Sequence, residues 1–112
     1  MNGCICQRLA AGDTVLAYTG DCGPSTLVAE LARQADLLLA EASYIDLVPE
    51  DSRRYLSSAS QAGRRAAQAG TGRLLLTHLL PGTDRAAARD AAASHYTGHV
   101  GVAASGLVLE LP

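Results

Sequence analysis

The stretch Asp36–Glu41, which reads DLLLAE, decides the fold of this 112-residue chain. Its apolar run from Leu37 to Ala40 is continuous, as is typical of a strand that is buried on both faces of a parallel sheet. A second such run, RLLLT, spans Arg73–Thr77. Helical patterns lie between and beyond the two runs. We therefore predict an α/β fold with largely parallel central strands.

Turn residues, N-cap residues and terminal glycines predict the remaining elements. Further strands are expected at Cys4–Leu9, Thr14–Tyr18, His99–Ala103 and Leu107–Leu111. Helices are expected from Ser25 to about Gln34, from a Ser58/Gln61 capping box to Gly70, and from Thr83 to about Tyr96. The predicted order is therefore ββαβαβαββ, with the stretch Ala42–Tyr55 as a long surface loop.

Composition and charge exclude several classes of protein. Apolar residues make up 48% of the chain, and 9 basic residues stand against 11 acidic ones, which excludes intrinsic disorder and binding of nucleic acid by bulk positive charge. No apolar run approaches the roughly 20 residues that cross a bilayer, so we expect no membrane segment. The odd set of cysteines, Cys4, Cys6 and Cys22, argues against a disulfide framework and for a cytoplasmic protein.

Three polar residues directly follow predicted strands: Asp21, Glu41 and His78. In open α/β sheets, ligands bind outside the carboxyl ends of the strands, so we expect these side chains to converge on one edge. Such a set suits a divalent metal or acid–base chemistry. The alternative is that each residue merely caps the turn that follows its strand.

Three motifs along the chain carry a family resemblance. They are Tyr18–Ser25 (YTGDCGPS), Ala35–Ala42 (ADLLLAEA) and Leu74–Pro81 (LLLTHLLP). In this order and spacing they resemble the metallo-β-lactamase fold, and within it the branch of ribonuclease Z and the cyclic-nucleotide phosphodiesterases. The resemblance implies that residues 1–112 form a single partial domain, the C-terminal half of an αββα sandwich that lacks its N-terminal half. The absence of Phe and Trp from the core agrees with an incomplete fold.

The resemblance also implies roles for individual residues. Asp21 matches an aspartate that bridges two metal ions, usually zinc, and His78 matches a terminal ligand of one of them. Glu41 matches an acid that supports the site without binding metal. By adjacency, Thr19 and Thr77 are predicted to orient the ligands through hydrogen bonds.

Two departures from the family pattern bear on activity. The family's other ligands lie in a His-x-His-x-Asp-His motif, whereas this chain has only three histidines and no such motif. Tyr55 occupies the position of a histidine that handles the scissile phosphate. Tyr55 can donate a hydrogen bond to phosphate, but its high pKa makes it a poor general acid or base near neutral pH.

Other polar residues are assigned structural roles. His95 and His99 share the spacing of a metal-binding pair, but Thr97–Gly98 indicates a helix end between them. The arginine pairs at 53–54 and 64–65 can attract phosphate. We interpret both pairs as solvated surface, with the first the better phosphate candidate.

Two functions follow as hypotheses. The first is half of a metal-dependent hydrolase that attacks a phosphodiester, inactive by itself and completed by the missing N-terminal half. The second is a non-catalytic interaction module or degenerate family member that associates, for example as a homodimer, through an uncovered face of its sheet.

Overall fold

The computed structural model describes residues 7–19, 26–52 and 56–104, and within these ranges it contains one five-stranded sheet and three α-helices. The strands are β1 (Gln7–Ala11), β2 (Thr14–Tyr18), β3 (Leu37–Glu41), β4 (Arg73–Thr77) and β5 (His99–Val102). The helices are α1 (Thr26–Leu31), α2 (Ala59–Ala69) and α3 (Arg85–Ala93), with a 3-10 turn at Glu50–Ser52.

The sheet has the order β1-β2-β3-β4-β5. β1 and β2 form an antiparallel hairpin, and β2 to β5 are parallel neighbours, as predicted for the central strands. β1 continues to Ala11, beyond the predicted end at Leu9, because the hairpin turn narrows to Gly12 and Asp13, where Gly12 takes a φ of 60° that favours glycine. The predicted strand at Leu107–Leu111, the start of the Cys4–Leu9 strand and the Ser25 cap lie outside the described residues.

The predicted N-caps of α2 and α3 can be compared with the structure. The capping box of α2 is confirmed, because Ser58 accepts from the Gln61 N–H and the Gln61 side chain accepts from Ser58, and Gly70 ends the helix in the left-handed region. Thr83 is not the cap of α3. That role falls to Asp84, whose carboxylate accepts from the N–H groups of the next turn and complements the helix dipole.

The first helix is shorter than predicted. It ends at Leu31, and the chain then turns through Gln34, which has a φ of 54°. Arg8 of β1 donates to the carbonyl oxygens of Leu31 and Arg33 at 2.7 and 3.1 Å. Because the last carbonyls of a helix need such partners, this contact replaces the turn that would have continued α1.

The core lies between the helices and one face of the sheet. Strand residues of this face, such as Leu38, Leu74 and Leu76, form a cluster with alanines of α2 and α3. The helices approach closely because Gly63 of α2 faces the Ala92 carbonyl of α3, where a Cβ would collide. The small side chains make this layer thin, since alanine fills little space.

The opposite face of the sheet carries leucines. Because side chains alternate along a strand, Leu16, Leu39 and Leu75 point away from the helices, and none of them belongs to the core cluster. Leu9 pairs with Leu16 in the register and is 57% exposed. Among the described elements, no helix is long and apolar enough to span a membrane.

The connection from β3 to α2, residues 42–58, agrees only in part with the surface loop predicted at Ala42–Tyr55. Ala42, Ser43 and Val48 are buried, and so are Ser57 and Ser58 at its far end. Its two ends meet at a parallel bridge between Tyr44 and Ser58. Between the two ends, residues 46, 47 and 49–51 are exposed, as a surface loop requires. The buried start was not predicted because mixed polar composition does not show which polar groups find partners inside the fold.

Candidate functional site at the carboxyl edge of the sheet

The carboxyl ends of β2, β3 and β4 lie side by side at one edge of the sheet. Thr19, directly after β2, donates its N–H to the Leu39 carbonyl at 3.1 Å, and its Oγ1 accepts from the Glu41 N–H at 3.0 Å. Glu41 pairs with Thr77 across β3 and β4, and the Thr77 carbonyl accepts from Ala42 at 2.8 Å. The edge is therefore held by hydrogen bonds that include one buried side chain, that of Thr19.

The Glu41 carboxylate is at the centre of this edge and is 1% exposed. Its Oε2 accepts from the Ser43 N–H at 2.7 Å, and its Oε1 accepts from the Ser57 N–H at 2.9 Å. Both oxygens are thus used by backbone donors, one at each end of the 42–58 connection. Glu41 therefore supports the polypeptide around the edge, and its carboxylate is shielded from solvent.

The protonation of Glu41 reflects two opposing effects. Burial raises the pKa of this carboxyl above its ordinary value, because the charged form loses hydration. Hydrogen bonds from the Ser43 hydroxyl and from the Ser43 and Ser57 backbones, together with nearby His78, lower the pKa. Desolvation outweighs them. The Glu41 carboxyl therefore holds its proton to a higher pH than an ordinary glutamate does.

His78 directly follows β4 and is exposed at the same edge. Its φ of 66° places a bulky residue in the left-handed region, which few residues other than glycine adopt. Backbone strain of this kind occurs preferentially at functional sites. An exposed imidazole on a strained turn can bind a metal or a phosphate, since no helix or strand buries it.

The structure brings four of the predicted site residues to this edge: Thr19, Glu41, Thr77 and His78. Asp21 and Tyr55 lie outside the described residues, as do the three cysteines and the arginine pair at 53–54. Among the residues that the structure does describe, no group of three or more His, Cys, Asp or Glu side chains could hold a metal. The metal-binding and catalytic roles of Asp21, His78 and Tyr55 stay predictions.

Two further assignments concern polar residues away from the edge. His95 and His99 are both exposed, and α3 ends before either of them, so they do not share a helix face. Arg65, expected on the surface, is instead buried at 7% exposure and donates to the Ser57 Oγ at 2.9 Å. The sequence held a signal for this, because Arg65 falls three residues after Ala62 and four before Ala69, on the buried face of α2.

The fold has counterparts among solved structures. The crystal structure of the metallo-β-lactamase fold protein YhfI from Bacillus subtilis superposes with a TM-score of 0.84 at 33% identity, over 92% of this chain and 42% of that one. Human tRNase Z, short form, superposes with a TM-score of 0.67 at 23% identity, over 94% of this chain and 37% of the human chain. The chain is therefore a partial metallo-β-lactamase-fold protein.

Sequence relatives of the chain include metallo-hydrolases and ribonuclease Z. The probable metallo-hydrolase YhfI of Bacillus subtilis is 33% identical over 107 residues, which are 96% of this chain and 43% of YhfI. A ribonuclease Z of Myxococcus xanthus is 37% identical over 102 residues, 87% of this chain and 33% of the relative. The uncharacterized protein ML1173 of Mycobacterium leprae is 38% identical over 96 residues, which are 86% of this chain and 34% of ML1173.

These comparisons confirm the resemblance to ribonuclease Z and to the metallo-β-lactamase-fold hydrolases. The chain spans less than half the length of each of these relatives. No protein-family model matches it.

Proposed function

We propose that this chain is one half of a metal-dependent hydrolase that acts on phosphodiesters, the C-terminal half of the family's αββα sandwich. The observation that carries the proposal is the match of nearly the whole chain to part of the metallo-hydrolase YhfI. The polar edge supports it, because His78, Glu41 and two threonines lie where ligands bind in open α/β sheets. The substrate is a phosphodiester such as RNA or a cyclic nucleotide.

The metallo-hydrolase relatives imply a divalent metal cofactor, and we propose zinc. Asp21 would bridge two ions and His78 would be a terminal ligand, while Thr19, Thr77 and Glu41 hold the strand ends that present them. Such metals activate a water molecule and offset charge on the phosphate. The residues of this chain do not by themselves fit a two-metal centre, because two ligands are too few to hold it.

Activity is therefore expected only when the remaining ligands are supplied by the portion of the fold that YhfI has outside the matched region. In the completed site, Tyr55 would donate a hydrogen bond to the phosphate. The three cysteines suit a reducing compartment, and we propose the cytoplasm.

The test has two stages. The purified chain with added zinc should hydrolyse bis-p-nitrophenyl phosphate no faster than zinc alone. Co-purified with the part of YhfI that lies outside the match, it should gain turnover, and His78→Ala should remove that turnover. His95→Ala is the matched control, since His95 is exposed but lies away from the edge. Robust turnover by the chain alone would overturn the incomplete-site proposal.

A second candidate function is association through the leucine face of the sheet, either with the rest of the fold or with a second copy. The observation that favours it is that Leu9, Leu16, Leu39 and Leu75 lie on the face away from the helices. Apolar surface of this kind drives association. Light scattering after gel filtration should find a metal-free dimer that Leu9→Asp dissociates. A monomer at all concentrations would leave only the hydrolase-half proposal.

A further inference from the structure

The buried guanidinium of Arg65 is the one strongly polar group of the buried α2 face whose purpose packing does not explain. Its neighbours on that face are Ala62, Ala66 and Ala69, which are buried and whose side chains carry no polar atom. A buried cation is unfavourable unless it is hydrogen-bonded, and apolar residues of similar size often replace buried ions without loss of stability. What arginine adds at this position is therefore a donor.

The donor reaches the end of the 42–58 connection. Arg65 Nη1 donates to the Ser57 Oγ at 2.9 Å, and Ser57 is 1% exposed. The backbone N–H of the same serine donates to Glu41 Oε1 at 2.9 Å. Ser57 is therefore held from both sides, by α2 through its hydroxyl and by the end of β3 through its N–H.

The other end of the connection meets the same carboxylate, because Glu41 Oε2 accepts from the Ser43 N–H. Backbone hydrogen bonds also join the two ends of the connection. The N–H groups of Ala59 and Ser60 donate to the carbonyls of Tyr44 and Ile45 at 2.8 and 3.1 Å. These bonds satisfy the first two donors of α2, which a helix leaves without internal partners. The connection is thus pinned at its base, beside the carboxyl edge.

We propose that Arg65 is a positioning residue for the candidate site: by holding Ser57 against Glu41, it fixes the base of the 42–58 connection at the carboxyl edge of the sheet. Its link to catalysis rests on the proposed function, because Ser57 lies two residues after Tyr55 in the sequence. The pinning itself does not depend on any activity.

The test measures amide hydrogen exchange in the isolated chain. Arg65→Met keeps an unbranched apolar stem but removes the donors of the side chain. Exchange of the Ser43, Tyr44 and Ser57 amides should accelerate at least about tenfold, since a hydrogen bond to a charged group is lost or weakened. The amides of β4 should keep their rates. Arg64→Met, on the exposed neighbour, is the matched control and should change neither set.

Two further variants separate positioning from general stability. Arg65→Lys restores one donor and should recover most of the slow exchange. Ser57→Ala removes this acceptor, and because the two side chains share one hydrogen bond, the double variant should accelerate exchange by less than the product of the two single effects. If Arg65→Met does not fold, the Ser57→Ala and Arg65→Lys pair carries the test.

Equal acceleration in β4, failure of lysine to rescue, or additive effects of the two substitutions would each overturn the proposal. None of these measurements involves hydrolysis. A failure here therefore leaves the hydrolase proposal intact, and the absence of complemented turnover leaves this one intact.

Discussion

Replacing His78 by glycine should stabilise the fold. The φ of 66° at this exposed position costs a residue with a Cβ roughly 1–2 kcal/mol, and glycine avoids that cost. Glycine has more conformational freedom to lose on folding, which costs about 0.5–1 kcal/mol relative to alanine. His78→Gly should therefore be more stable than His78→Ala by up to about 1.5 kcal/mol, the difference between those two effects.

His95 provides the matched control because it is exposed and has no positive φ among the described residues. There the order should reverse, with glycine less stable than alanine by about 0.5–1 kcal/mol. Urea unfolding, followed by far-ultraviolet circular dichroism, gives all four free energies if the m-values agree. At each position, the free energy of unfolding of the alanine variant is subtracted from that of the glycine variant. The value at position 78 should exceed the value at position 95 by about 1–2 kcal/mol. A value near zero would refute the assignment of strain to His78.

Three further predictions concern Glu41, Gly63 and Thr71. Because the pKa of Glu41 is raised, the folded state holds the proton of this carboxyl more tightly than the unfolded state does. The free energy of unfolding therefore falls as pH rises from about 4.5, the ordinary pKa of a glutamate, through the pKa of the folded state. The stability advantage of the natural chain over Glu41→Gln should shrink over that window in urea titrations; an advantage that grows with pH would contradict the shift. Gly63→Ala should destabilise the fold by about 1–3 kcal/mol in the same assay, because the added Cβ collides with the Ala92 carbonyl. An unchanged free energy of unfolding would mean that α2 and α3 move apart freely. Thr71 Oγ1 is buried without a hydrogen-bond partner in the described part of the chain, so Thr71→Val should raise the midpoint of unfolding by removing a penalty of about 1 kcal/mol, whereas a loss would reveal a hidden partner.

Local sequence signals predicted the sheet and the best-capped helix because each signal is self-contained. The apolar runs Leu37–Ala40 and Arg73–Thr77 form adjacent parallel strands, and α2 runs between its predicted cap and its terminal glycine. Both depend on residues within a few positions of one another. The placement of Glu41 and His78 at one edge followed from topology alone, since parallel strands bring their carboxyl ends together.

The features that the sequence did not predict depend on partners distant in the chain. The end of α1 is set by Arg8, which is more than twenty residues away. Arg65 is buried because Ser57 accepts from it, and the 42–58 connection is ordered at its base by Glu41. Composition marks such residues as polar and exposed, and only the three-dimensional contacts show that their polar groups are satisfied inside.

The use of both Glu41 oxygens constrains the chemistry of the edge. The Glu41 carboxylate is 1% exposed and accepts one backbone N–H on each oxygen, so a metal could reach it only if the polypeptide around it moved. Glu41 is therefore structural in this arrangement, and of the residues described at the edge only His78 offers an exposed ligand atom. In the proposed hydrolase, the other donors would come from Asp21 and from the portion of the fold that the relatives have outside the matched region. This distribution explains why a well-formed edge is expected to show turnover only after complementation.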